Sequence, residues 1–207
     1  MKILFYRYGS ICEPDIIKGF EELGHTVSQI TEEITNKDFL FGDCARVVGN
    51  FLMEHPQDCV FTINFFPIIS DVCNIFKIRY ICWSVDSPVM ELFSKSIQNP
   101  CNRIFLFDRM QYTEIAPLNP GNVFHFPLAV NVTDKQNVIQ QASISDLERF
   151  SNNVSFVGSL YTEKCPYDRL STPPAYLSGY LNGLMEAQLK VYGYYFVEEL
   201  LPDNIVE

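Results

Sequence analysis

Short runs of apolar, β-branched and aromatic residues alternate along the chain with longer stretches whose apolar positions recur at helical spacing. This alternation is the signature of βαβ units laid on a parallel sheet. The strand-like runs cover residues 2–8, 25–30, 59–65, 79–84, 103–107 and 123–126. The third is apolar almost throughout, as a strand buried on both faces would be. Between the runs, Ile16, Ile17, Phe20 and Leu23 mark the buried side of a helix from about Glu13 that ends at Gly24. Phe41, Ala45, Val48 and Leu52 mark a second over 37–54, and Ile68, Val72, Ile75 and Phe76 a third that starts on Pro67, where a missing N–H costs nothing. A fourth is predicted over 88–96. The fold class expected is therefore α/β: a Rossmann-like parallel sheet of about six strands flanked by helices.

The pattern changes after residue 130. Residues 131–153 are rich in Gln, Asn, Asp and Ser and read as a linker with a short helix at 145–150. A new strand is expected at 154–157, ended by Gly158-Ser159, followed by a Pro-containing loop and a long helix over 175–200. The domain reading is 1–130 for the first domain, 131–153 for the linker and 154–207 for the start of a second domain with a C-terminal helical segment. Gly179 and Gly183 form a G-x-x-x-G pattern that suits close helix packing, including a homodimer through this helix.

Composition narrows the function classes. The chain has 207 residues and a formal net charge of −10 (15 Lys and Arg against 25 Asp and Glu), with no basic cluster to bind a phosphate backbone. Nucleic acid is not an expected partner, although backbone amides at helix N-termini would still suit a sugar nucleotide. Seven scattered cysteines, 47% hydrophobic residues and no apolar run long enough for a bilayer span point to a cytoplasmic protein with a sizeable core. No G-x-G-x-x-G or P-loop is present, and no metal site or tightly bound cofactor is expected.

In open α/β sheets ligands bind beyond the carboxyl ends of the strands. The residues there are Gly9 and Ser10, Phe65 and Phe66, Asp86 and Ser87, Asp108 and Arg109, and His125. Asp86 is the candidate catalytic base, since a carboxylate on such a loop could take a proton from a hydroxyl. It is also a candidate N-cap for a helix after Pro88, the more common role of an Asp in this position. Asp108 and Arg109 could contact a ligand or only each other, and His125 and Trp83 could be site or core residues.

Six ordered segments carry a family resemblance. They are residues 2–10 (KILFYRYGS), 64–73 (NFFPIISDVC), 83–88 (WSVDSP), 102–111 (with FLFDR), 125–130 (HFPLAV) and 154–161 (VSFVGSLY). Together they resemble the N-terminal domain of CgeB-like spore-maturation proteins of bacteria, a domain of unknown function ahead of a glycosyltransferase-like region. The resemblance implies a GT-B arrangement in which this half shapes the acceptor side, for a carbohydrate or other hydroxyl acceptor. A nucleotide sugar would be the co-substrate, held mostly by a missing C-terminal domain, with Gly158 and Ser159 on the donor side. The chain alone would then be inactive. The alternative is a non-catalytic module that binds a glycan or protein during cell-surface maturation.

Overall fold

The computed structural model describes residues 1–36, 39–158 and 173–201. The chain divides into two compact units, Met1–Ala142 and Ser143–Glu207. The first carries strands β1 (Lys2–Tyr6), β2 (Thr26–Ile30), β3 (Cys59–Ile63), β4 (Arg79–Ser84), β5 (Asn102–Leu106) and β6 (Val123–His125). They form one sheet in the order β2-β1-β3-β4-β5-β6, with every pairing parallel. The unit is a Rossmann-like, doubly wound α/β fold, as the alternation of patterns predicts. All five residues of β3 are buried, in keeping with its unbroken apolar run.

Its helices are α1 (Glu13–Glu22), α2 (Glu32–Thr35), α3 (Phe41–Glu54), α4 (Pro67–Phe76), α5 (Arg109–Ile115) and α6 (Val132–Gln141). The period-2 alternation of the strands sorts their side chains between two cores. On one face Leu4, Val60, Tyr80, Cys82, Ile104 and Leu106 pack against Val48 and Leu52 of α3, Ile69 and Val72 of α4, and Ile115 of α5. On the other Ile3, Phe5, Phe61 and Ile63 pack against Ile16, Ile17 and Phe20 of α1. Gly24 (φ +80°) ends α1, and the His25 amide closes the turn on the Phe20 carbonyl at 3.0 Å. Lys77 (φ 57°) takes the equivalent left-handed position after α4.

Several boundaries differ from the pattern-based expectation for identifiable reasons. After Arg7 gives its amide to the Ile30 carbonyl, β1 cannot continue because Tyr8, Gly9 and Ser10 turn theirs onto Glu13, and β3 stops at Ile63 because Asn64 takes φ 58°. The helix expected over 88–96 is replaced by two 3-10 turns, Met90–Phe93 and Lys95–Gln98, separated by extended Ser94. Both turns bury an apolar residue, Leu92 and Ile97. Buried Asn102 fixes the second turn by donating to the carbonyls of Ser96 (2.9 Å) and Ile97 (3.0 Å). The helix expected from residue 37 begins at Phe41, and positions 37 and 38 lie outside the described residues.

α6 occupies a stretch read as linker. Its signal is local: the Asn131 side chain accepts from the Asp134 amide at 3.1 Å, an N-cap that composition alone obscures. In the second unit α7 (Ile144–Phe150) carries a full capping box between Ser143 and Asp146. The strand expected at 154–157 is not formed, and Val154 and Val157 are 91% and 95% exposed. An apolar run without a neighbouring strand has no partner for its backbone groups. α8 (Ala175–Gln188) ends twelve residues before the expected position (200 − 188). There Gln188 turns the chain by donating to the carbonyls of Val191 (3.1 Å) and Tyr194 (2.8 Å). No helix among the described residues is long and apolar enough to cross a membrane.

Candidate active-site crevice

Parallel pairing throughout brings the residues after β1, β3, β4, β5 and β6 to one edge of the sheet. The strand order makes one place on that edge distinct. From β1 the chain leaves toward β2 through α1 on one face, whereas from β3 it leaves toward β4 through α4 on the other. The loops diverge between β1 and β3 and open the crevice in which doubly wound sheets bind ligands.

Three side chains meet there. Asn64 Nδ2 donates to Asp86 Oδ2 at 2.6 Å and to the Tyr8 hydroxyl at 3.0 Å. Its Oδ1 accepts from the Val85 amide at 3.0 Å and the Ser84 hydroxyl at 3.3 Å. One amide side chain thereby ties the ends of β1, β3 and β4 together and fixes the Asp86 carboxylate, which is exposed to solvent. The left-handed backbone that aims Asn64 into the crevice is tolerated by Asn better than by most residues. Burial raises the Tyr8 hydroxyl above its ordinary pKa; the nearby charges of Asp86 and Glu13 add to this, while hydrogen bonds from Ser10 and Asn64 oppose it. The phenol is thus held as a neutral donor and acceptor. Asp86 presents an exposed carboxylate to the crevice and caps no helix: the 3-10 turn that follows has Val89 at its N-cap and no side-chain cap.

The β1–α1 loop is organised by Glu13. Its Oε1 accepts from the amides of Tyr8 (2.9 Å), Gly9 (2.9 Å) and Ser10 (3.0 Å), and its Oε2 from Arg7 Nε at 2.9 Å. Gly9 sits at φ +100°, where a side chain would be strained.

The remaining predicted residues are dispersed in role. Phe65 is buried in the core against Tyr80 (ring centroids 5.7 Å apart), so its ring is closed to a ligand at the rim. Phe66 packs on Tyr6 and Tyr8 and supports the crevice from below. Asp108 is the N-cap of α5, accepting from the Gln111 amide at 2.7 Å. Arg109 is exposed on the first turn of α5 and forms no ion pair among the described residues. His125 is exposed; its Nε2 lies 3.2 Å from the Phe107 carbonyl, beside Tyr112. Ser87 is exposed next to Asp86. Gly158 belongs to the second unit, and Ser159 lies outside the described residues. Tyr8 and Asn64 fall in the rim segments after β1 and β3 with no role assigned from the sequence, and Glu13 is expected there only as the start of a helix. Glu13 had a legible signal, since Ser10-x-x-Glu13 is a capping-box spacing.

A cavity of about 1020 Å³ runs from the crevice along the sheet face that α1 partly covers. Ser10 and Asp86 line its polar end, and Phe61, Trp83, Phe105 and Phe126 its apolar floor. Trp83 stands edge-on to Phe126 (5.7 Å), and its indole Nε1 is buried with no hydrogen-bond partner among the described residues. A second cavity of about 740 Å³, lined by Pro56, Asp58, Lys77 and Arg79, lies at the amino ends of the strands, the edge that such sheets do not use for ligands. No cluster of three or more His, Cys, Asp or Glu side chains among the described residues is arranged to hold a metal ion.

Strand order and connections make this a Rossmann-like, doubly wound α/β unit with a crevice at its carboxyl edge, an architecture compatible with a GT-B-type domain in general. No protein-family model matches the chain, and no curated protein matches it either.

Proposed function

We propose that the first unit is the acceptor half of a GT-B-type glycosyltransferase related to the CgeB-like proteins. The crevice between β1 and β3 receives a hydroxyl of a carbohydrate or other acceptor, and Asp86 is its general base. Asn64 holds Asp86 Oδ2, which leaves Oδ1 to take the proton as the hydroxyl oxygen bonds to C1 of a sugar bound as a nucleotide donor on a facing half, while the C1–O bond to phosphate breaks and the nucleotide leaves with its electron pair. The observation that supports this reading best is the Tyr8–Asn64–Asp86 network. The Asn64 side-chain amide holds one solvent-exposed carboxylate oxygen at 2.6 Å, whereas a capping role would engage that carboxylate with backbone N–H groups.

The test is sugar transfer by protein carrying both halves. Asp86→Asn lowers the transfer rate by about 10²–10⁴-fold, the usual worth of a positioned base, with acceptor affinity little changed. An unaltered rate would reduce Asp86 to a rim residue. Glycan binding without transfer by the intact protein would favour the recognition-module reading instead.

A further inference from the structure

The loop after β1 has the parts of an anion site. Three consecutive amides converge on one point at the start of α1, Gly9 supplies the left-handed turn, and the Arg7 guanidinium stands beside them. In doubly wound folds such a nest receives a phosphate of the ligand. Here the point is occupied by a carboxylate of the chain itself. Glu13 is 0% exposed; one of its oxygens takes all three amides and the other takes Arg7. Arg7 is in turn fixed by donating to Gln29 Oε1 on β2 at 2.8 Å.

We infer that Glu13 is a built-in anion that determines specificity by closing the β1–α1 nest to phosphate, so that this crevice takes neutral, hydroxyl-bearing ligands and not phosphorylated ones. An incoming phosphate meets a competitor held by the same covalent chain at high effective concentration. Displacing it would expose or strand a carboxylate that four donors now satisfy, which is costly for a buried charge. The neighbouring carboxylates Asp15 and Asp86, both lining the same cavity, add repulsion. Arg7, the cation nearest the nest, is already neutralised. The inference rests on the acceptor-side reading of the crevice, and it excludes the β1–α1 loop as the seat of the diphosphate of any sugar nucleotide.

The experiment is a titration of the chain with pyrophosphate, followed through the backbone amide resonances of Tyr8, Gly9 and Ser10. In the wild type these stay in place at about 10 mM pyrophosphate, a weak-binding limit. In Glu13→Ala, or in Glu13→Ser if the alanine variant does not fold, they shift saturably, with affinity at least about tenfold above the wild-type limit. Formate at about 100 mM raises the melting temperature of that variant and leaves the wild type unchanged. Saturable movement of the wild-type loop amides overturns the inference. So does a folded variant that responds to neither anion, and so does failure of both variants to fold with formate present, because an amide nest of this kind would be refilled by it. Failure of the acceptor-side reading looks different: neutral glycans would leave Asn64 and Asp86 unmoved while the Glu13 variants still gained pyrophosphate binding.

Discussion

The two faces of the sheet are built for different ends. The face under α3, α4 and α5 is closed: Val60, Tyr80, Cys82, Ile104 and Leu106 have zero exposure, and polar side chains pair within it, Thr62 with Tyr80 at 2.7 Å and Ser70 with Asn102 at 2.7 Å, while the buried Gln111 amide of α5 has no partner among the described residues. The face under α1 is finished only over β1 and β3. Toward β5 and β6 it presents Phe105, stacked on Phe124 and edge-on to Phe126, all three partly exposed, with Phe105 and Phe126 in the floor of the large cavity. The contrast teaches where stability and function are divided. The closed face holds the sheet together, and the open face leaves room beside the one crevice where strand connections diverge.

Truncation separates the two faces most strongly. Ile104→Ala removes a fully buried side chain from the closed face and costs about 2–5 kcal/mol in denaturant unfolding. Phe126→Ala, at a residue 48% exposed on the open face, costs under about half of that despite deleting more atoms. Equal losses would mean that the cavity floor is as well packed as the core. Next in size is Asn64→Ala, which unties three strand ends and leaves their donors and acceptors unmatched. About 1–3 kcal/mol is expected, and Asn64→Gly, free of the left-handed constraint, recovers only part of it.

A smaller effect is expected at alkaline pH. Burial pushes the thiols of Cys44, on the closed face, and Cys59, beside α1, from 9.0 up to about 11. A folded-state pKa raised above the unfolded one favours folding while the group keeps its proton. The melting temperature therefore holds below pH 9 and falls as the pH rises from about 9 to 11. Cys59→Ala reduces the fall, and a fall already present at pH 7–8 would point to other groups.

Much of the architecture was legible in the sequence, because strand alternation and helical periodicity report burial directly and this unit buries its elements in a regular way. The six strands, Pro67 at the start of α4 and Gly24 after α1 all follow from local rules. What escaped depended on partners distant in the chain. The 3-10 turns are shaped by Asn102 and Asn119, which reach back to the Ile97 carbonyl from a later strand and loop. Val154–Val157 has the composition of a strand, but composition cannot supply the neighbouring strand that pairing requires. In the crevice, position along the strands places Asp86 just past β4, yet its partner is set by the conformation of Asn64, which nothing in a single sequence declares. Asp108 looked like Asp86 in the sequence and differs from it only because a helix of suitable length begins directly after it.

Ligand binding in the crevice between β1 and β3 is read out by mapping amide shifts while the chain is titrated with a panel of neutral oligosaccharides. Shifts confined to Tyr8, Asn64, Asp86 and the adjoining cavity wall are expected, and Asn64→Ala abolishes them. Shifts centred on Asp58 and Lys77 would instead put the ligand at the opposite edge of the sheet and overturn the proposed site.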